Sequence, residues 1–284
     1  MNADVLRYTA FSAVPDGGNP AGVVLDARAL DADAMQRIAR EVGYSETAFL
    51  SPRDDGSFDV RYFSPLAEVS FCGHATIAAM VAHAQRHGPG DFLLHTRAGV
   101  VPVNVDTASM ATLTSVEPRV EALDADALDA LLGTLHLARD ELDAELPPAV
   151  SYAGAWHPII AVRTRARLAR LEYDFDALAK LMARHGWTTI DVVWRENAAS
   201  FYARNPFPPG GVVEDPATGA AAAAFGAYLH ARAALPASRS FVVHQGHDLG
   251  RPSRLSVNVP ERIDSGVRVS GTAVSLTTSP PLQR

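Results

Sequence analysis

Lysine and cysteine are almost missing from this chain of 284 residues: there is one of each, Lys180 and Cys72. A single cysteine cannot form an intramolecular disulfide or a Cys-x-x-Cys zinc or redox site. A P-loop needs Gly-Lys-Ser/Thr, yet Ala179 precedes Lys180 and no glycine-rich loop adjoins it, so that phosphate cradle is excluded. Schiff-base and pyridoxal-phosphate chemistry would need Lys180 in a pocket; Asp176-Ala-Leu-Ala-Lys-Leu-Met-Ala-Arg reads instead as a surface helix. Gly-x-Gly-x-x-Gly and Gly-x-Ser-x-Gly are also absent, which leaves nicotinamide binding and α/β-hydrolase chemistry without support. Positive charge is almost all arginine. The formal net charge of -7 argues against the basic stripe that nucleic-acid binding requires. The longest apolar run, around Ala220 to Leu229, is well short of the ~18 residues of a membrane helix. The N-terminal residues lack a basic region followed by an apolar core, so no secretory signal is expected and the expected location is cytoplasmic.

What is present is an ordinary globular composition, 48% hydrophobic and 20% charged, at a length suited to about two domains. Most segments read as short strands rich in β-branched and aromatic residues. One set runs Val5–Ser12, Ala21–Asp26, Phe58–Phe63 and Phe92–Val105. The other runs Val150–Ala155, Ile159–Val162, Thr189–Arg195, Ala199–Arg204, Phe241–Gln245, Ser253–Val259 and Val267–Leu276. The acidic stretch Glu117–Leu146, with helical spacing of its leucines, is the natural connector. Two helices, Ala75–His87 and Thr218–Ala234, are apolar all round. A helix with no polar face must be surrounded, and Ala and Gly side chains let a sheet wrap closely about it. The expected fold class is therefore α+β, with two similar domains, each a β-barrel-like sheet wrapped around a central apolar helix. The boundaries are 1–118 for the N-terminal domain and 119–284 for the C-terminal one, with the last strand a candidate to return to the first domain. Phe63-Ser64-Pro65 and Arg204-Asn205-Pro206 precede the two helices, and Cys72 and Asp215 fall in matching places before the helix starts.

Three segments carry chemistry. In Ser45-Glu46-Thr47-Ala48-Phe49 a carboxylate heads an apolar strand, and a Glu aimed into a core is rare unless paired or working. Phe71-Cys72-Gly73-His74-Ala75-Thr76 puts Gly73 and His74 in the first turn of a buried helix. Glu214-Asp215-Pro216-Ala217-Thr218-Gly219 does the same for Asp215, with Pro216 suited to a helix start. Each also has a plain reading: Glu46 as a surface residue, Asp215 as an N-cap, His74 as a satisfied core histidine. The N–H groups of Gly73, His74, Gly219 and Ala220 at positive helix ends could hold an anion without lysine. A small carboxylate held there beside Glu46, His74 and Asp215 is the arrangement for moving a proton next to a carbonyl or unsaturated acid. His83 and His87 have the spacing of a zincin helix but Ala-Gln-Arg between them in place of its glutamate, and His244 and His247 have no nearby carboxylate or thiolate except Asp248, so no metal is expected.

Five segments in order resemble the PhzF-like proteins, the phenazine-biosynthesis isomerase family. They are Gly18-Asn19-Pro20-Ala21-Gly22-Val23-Val24, the Glu46, Cys72 and Asp215 segments above, and Gln245-Gly246 with Gly250-Arg251-Pro252-Ser253. The resemblance spans about Tyr8 to Gly271. It implies the diaminopimelate epimerase-like fold, with the active site in the cleft between two domains, and a cofactor-free, metal-free enzyme that is usually a homodimer. In the phenazine pathway the family's enzyme isomerises trans-2,3-dihydro-3-hydroxyanthranilate by proton shuttling. Carried over by motif, Glu46 is the acid/base, His74 and Asp215 assist, and Asn19, Gly73, Thr218, Gly219 and Ala220 bind substrate. Related epimerases and proline racemases use two cysteines, one per domain; here Cys72 takes the first place and Asp215 the second. Ala220 stands where the phenazine enzyme has a serine.

The expectation is an isomerase that shifts a proton and a double bond on a small carboxylic acid, with no cofactor, nucleic-acid or membrane partner. Burial of Glu46 would let its carboxyl alternate between acid and base. The alternatives are a racemase or epimerase of an amino or hydroxy acid using Glu46 and Cys72 as opposed bases, and a non-catalytic small-acid-binding or regulatory protein.

Overall fold

A computed structural model describes residues 4–276, and the chain divides into two compact units: one up to Leu113 together with the residues from Ser270 on, the other Thr114–Val269. The first unit opens with β1 (Leu6–Ala10), β2 (Asn19–Val24), α1 (Ala32–Val42), β3 (Glu46–Pro52), β4 (Phe58–Phe63), β5 (Glu68–Val69), α2 (Gly73–His87), β6 (Gly90–Thr96), β7 (Gly99–Val105) and β8 (Met110–Thr114). β1 and β2 are antiparallel, β2 and β3 parallel, β3 and β4 antiparallel, and β4 and β6 parallel. β6 and β7 form an antiparallel hairpin, and β7 pairs with β8. The final strand, Arg268–Ser275, lies between β8 and β1 and closes the barrel. β5 pairs with the end of β4.

α2 packs on β1, β2, β3 and β7, as a helix at the centre of a barrel must. Ten of its residues are buried, from His74 to Ala84, and small side chains at Ala75, Ala78, Ala79 and Ala82 let the strands approach. α1 lies outside, setting Met35 and Ala39 against Val24, Phe49 and Phe63.

The second unit repeats this order. It comprises β9 (Arg119–Ala122), α3 (Ala125–Thr134), β10 (Ala149–Tyr152), β11 (Trp156–Val162), α4 (Arg165–Ala169), α5 (Phe175–His185), β12 (Asp191–Asn197), β13 (Ser200–Phe207), β14 (Val212–Asp215), α6 (Gly219–Ala231), β15 (Ser240–Gln245) and β16 (Ser253–Asn258); the final strand is β17. β10–β11 is antiparallel, β11–β12 parallel, β12–β13 antiparallel, β13–β15 parallel and β15–β16 antiparallel, the same series as in the first unit. β14 pairs with the end of β13 as β5 does with β4. α6, with ten buried residues, packs on β9, β10, β11 and β16. At Gly226 an added Cβ would lie 3.0–3.2 Å from methyls of Val257, Val259 and Val267, so a hydrogen is what lets the helix sit this close. α3, α4 and α5 cover the other side of β11 and β12 with Leu131, Leu135, Leu168, Leu178 and Met182.

The two apolar helices and the two-fold repeat are thus as expected. Three details differ. Phe92–Val105 is a hairpin that turns at Arg97 and Ala98, with Gly99 in a positive-φ conformation. Glu117–Leu146 holds a strand as well as a helix. The N-caps of the buried helices are Cys72 and Thr218, so it is Thr218, not Asp215, that stands in the place of Cys72. Asp215 belongs to a strand because its backbone pairs with Asn205. Lys180 is exposed on α5, and Trp187 is core.

Candidate active site

α1, α3, α4 and α5 each begin with an Asp or Thr whose side chain accepts from a first-turn N–H. α2 and α6 have no side-chain cap. The first N–H groups of a helix have no partner within it, and at these two starts the side chains near them are engaged elsewhere.

In the first unit, register brings the residues together. β2 and β3 pair Ala21 with Glu46, so the carboxylate heads β3 while Asn19 heads β2. Gly18 turns the chain into β2 at φ +71°, where an added Cβ would lie 2.3 Å from the Ala10 carbonyl oxygen, so only glycine delivers Asn19 this way. The uncapped end of α2 supplies Cys72 and His74. Asn19 Nδ2 lies 3.1 Å from His74 Nδ1 and Ser45 Oγ 3.3 Å from His74 Nε2. His74 Nε2 is 3.4 Å from Glu46 Oε2. The Cys72 thiol donates to Glu46 Oε2 at 3.5 Å and lies 3.3 Å from His74 Nδ1. His74 and Cys72 are buried, and the Glu46 side chain keeps 13% of its exposure, so this carboxylate is held by neighbours yet reachable. Behind them the Tyr62 hydroxyl meets Thr76 Oγ1 at 2.6 Å, its pKa pushed up by complete burial.

In the second unit, Asp215 ends β14 and is buried. Its Oδ2 accepts from the Thr218 hydroxyl at 2.6 Å, which is why Thr218 does not cap α6. Gln245 clamps the turn: Nε2 donates to the Asp215 carbonyl at 2.7 Å and to Thr218 Oγ1 at 3.0 Å, and Oε1 accepts from Thr218 N–H at 3.0 Å. Gly219 and Ala220 follow in the first turn. Glu214 is occupied by Arg204, whose Nε donates to Oε2 at 3.0 Å.

A second buried cluster was not anticipated. β11 and β12 pair Ile159 with Asp191, so Asp191 heads β12 as Glu46 heads β3, and His157-Pro158 stands where Asn19-Pro20 does. Asp191 accepts from Asn205 Nδ2 at 2.9 Å, Asn205 Oδ1 accepts from the Thr189 hydroxyl at 2.7 Å, and Thr189 Oγ1 meets His157 Nδ1 at 2.8 Å. Burial pushes the Asp191 carboxyl up to about 7 and the His157 imidazole down to about 3. The doublet Asn/His-Pro in one strand, followed by an acid heading the next, was the signal in the sequence.

One histidine of each pair weighed from the sequence packs against aromatic rings. His83 packs edge-on against Phe58 and Phe92, and His244 stacks on Tyr202; burial lowers the pKa of both.

Two similar barrels, each wrapped about an apolar helix, define the diaminopimelate epimerase-like fold. A family model described as phenazine biosynthesis-like protein (PhzC-PhzF) matches residues 8–279, and the chain belongs to that family, an enzyme of the isomerase class. It is 34% identical to an uncharacterized isomerase, YddE, of Escherichia coli K12, over 97% of each chain. It is 32% identical to trans-2,3-dihydro-3-hydroxyanthranilate isomerase of Pseudomonas chlororaphis, over 94% of each. Among solved structures, the Bacillus anthracis PhzF family protein superimposes with a TM-score of 0.86, at 26% identity and 98% of each chain. A probable proline racemase from Agrobacterium radiobacter K84 shares the fold alone, with a TM-score of 0.65 at 14% identity, covering 99% of this chain and 94% of that one. No helix among the described residues is long and apolar enough to cross a membrane.

Proposed function

We propose that the chain moves a proton, and with it a double bond, on a small carboxylic acid, using only its own side chains. The observation that carries this reading is the reachable Glu46 carboxylate held 3.4 Å from His74 at the uncapped start of α2. A substrate carboxylate accepts from the N–H groups of Gly73 and His74, where the helix end favours an anion. Glu46 takes a proton from the carbon next to the unsaturated system. The C–H electron pair forms the new double bond, the old one shifts, and the same carboxyl returns the proton at the far carbon. His74, oriented by Asn19 and Ser45, donates to the oxygen on which negative charge gathers. Within its own unit, Asp215 offers a carboxylate for an amine or hydroxyl group beside the uncapped start of α6, with Thr218, Gly219 and Ala220 as binding groups there. The relative from Pseudomonas chlororaphis is named for trans-2,3-dihydro-3-hydroxyanthranilate, an unsaturated amino acid, and a small acid of that kind is the substrate class we propose.

Exchange of substrate hydrogen with deuterated water is the test. Glu46→Gln is expected to lower it by about 10²–10⁴-fold, the usual contribution of a general base. Undiminished exchange in that variant overturns the assignment, and unchanged ligand affinity together with no exchange in the parent protein would favour a binding protein instead. A racemase with Glu46 and Cys72 as opposed bases is less well supported: their Oε2 and Sγ lie 3.5 Å apart, and groups in contact leave no room for a carbon between them.

A further inference from the structure

The partners of His74 fix the direction of each hydrogen bond it makes. Glu46 Oε2 lies 3.4 Å from His74 Nε2, and a carboxylate ionised to act as a base has only acceptors to offer. Nε2 therefore carries the hydrogen of the neutral ring, and Nδ1 is left as an acceptor. Asn19 Nδ2, 3.1 Å away and buried with the ring, supplies the donor that Nδ1 needs. Cys72 does not compete for this place. Its Sγ is 3.3 Å from Nδ1 but only 3.8 Å from Nε2, too near the second nitrogen to lie along the Nδ1 lone pair. The thiol hydrogen goes instead to Glu46 Oε2.

Ser45 Oγ, 3.3 Å from Nε2, is then the acceptor of the ring's one N–H. A hydroxyl that accepts still has a hydrogen of its own to place, and Ser45 makes no other side-chain hydrogen bond among the described residues. The residue is half-buried and directly precedes β3, so this hydrogen is within reach of a ligand. The series Asn19, His74, Ser45 thus runs in one direction and ends on a donor next to Glu46.

We propose that Ser45 is a further catalytic residue, whose hydroxyl donates, beside His74 Nε2–H, to the substrate oxygen on which negative charge gathers. The role rests on the acid/base reading of Glu46 given above. By donating to Oγ, His74 polarises the hydroxyl and makes it a better donor. A hydrogen bond that strengthens as charge develops lowers the barrier without tightening the complex with substrate. Ser45 keeps its proton throughout, and Glu46 alone transfers one. Because Nε2 is 3.3 Å from Ser45 Oγ and 3.4 Å from Glu46 Oε2, the oxygen and the acidic carbon they serve are near neighbours, as in a carbonyl compound with hydrogen on the adjacent carbon. Asn19 acts through the ring and is a positioning residue.

Deuterium exchange into trans-2,3-dihydro-3-hydroxyanthranilate, measured on the full chain and its variants, is the test. Ser45→Ala should lower kcat for exchange by about 10²–10³-fold, the usual cost of one such donor, with KM changed by less than about 3-fold. Ser45→Thr, which keeps the hydroxyl, should return to within about 10-fold of the parent. Circular dichroism establishes that each variant is folded, and Ser45→Gly takes the place of Ser45→Ala if that one is not. Nitrogen-15 NMR of the labelled histidines, with His74→Gln for assignment, should show hydrogen on Nε2 and a bare Nδ1. Asn19→Asp, which presents only acceptors, should bring a hydrogen to Nδ1. A parent ring with hydrogen on Nδ1 overturns the donor series. Normal kcat in Ser45→Ala, a loss confined to KM, or a loss that Ser45→Thr does not recover overturns the role of Ser45. In those cases exchange by the parent, lost in Glu46→Gln, leaves the isomerase reading standing. If the parent itself exchanges no hydrogen, that reading fails and the role of Ser45 falls with it.

Discussion

In the first unit the acid that heads the third barrel strand, Glu46, remains partly open and is surrounded by His74, Cys72 and Ser45. In the second unit the acid in the same register position, Asp191, is 2% exposed and closed in by Asn205, Thr189 and His157. Strand order, pairing sense and the place of the central helix are the same in both. What separates a candidate catalytic carboxylate from a structural one is therefore not topology but the residue at the N-terminus of the buried helix and the neighbours recruited around the acid. His74 at the second position of α2 has Ala220 as its counterpart in α6, so the first turn of α6 carries no imidazole of its own. Its histidine comes from the strand instead, where it is wholly buried.

The comparison can be strained first at the helices. Counting from the caps, Met80 of α2 stands where Gly226 stands in α6, and Met80 is fully buried. Met80→Ala should leave a cavity and lower stability by about 2–5 kcal/mol in chemical denaturation. A loss below about 1 kcal/mol would mean that the first barrel closes onto its helix as tightly as the second does at Gly226. Next is the polar network. Asn205→Ala removes the donor to Asp191 and the acceptor for Thr189, and should cost about 1–3 kcal/mol. The loss should be greatest above about pH 7, where the carboxyl is ionised. A loss that does not vary with pH would place the acid outside the network's energetics.

A third effect is read from pH alone. The folded Asp191 keeps its proton to about pH 7, well above its ordinary value. Its contribution to stability is thus fully present in acid and is lost as pH rises through about 7. His157, held down at about 3, acts in the opposite sense: its contribution is present above the ordinary imidazole range and is lost as pH falls toward 3. Asp191→Asn removes the first slope and leaves the second. Melting temperatures should therefore favour the variant over the parent increasingly as pH rises from about 5 to about 8. A constant difference over that range contradicts the buried-acid assignment.

Much of this was legible because it is local. The all-apolar helices announced themselves by composition, and Glu46 stood out as an acid opening an apolar strand. Of the second cluster the sequence carried only the Asn/His-Pro doublet ahead of an acid; its membership was not legible, because His157, Thr189, Asp191 and Asn205 lie on different strands or beside them and meet only through register. Asp215-Pro216 looked like a helix start, yet backbone pairing with Asn205 and the Gln245 clamp keep Asp215 in a strand and pass the cap position to Thr218. The strands β8 and β9 were overlooked because short alternating segments such as Met110–Thr114 carry little periodicity.

The barrel that holds Glu46 is completed by β17, which follows every element of the other unit. Made vector-wise on a ribosome, the second unit can reach its native pairings before the first has a closing strand. Until residues 268–275 emerge, β1 and β8 present unpaired edges, the kind of surface on which nascent chains adhere to one another. The half of the molecule that carries Glu46 is thus the last to be finished, although it is the first to be translated.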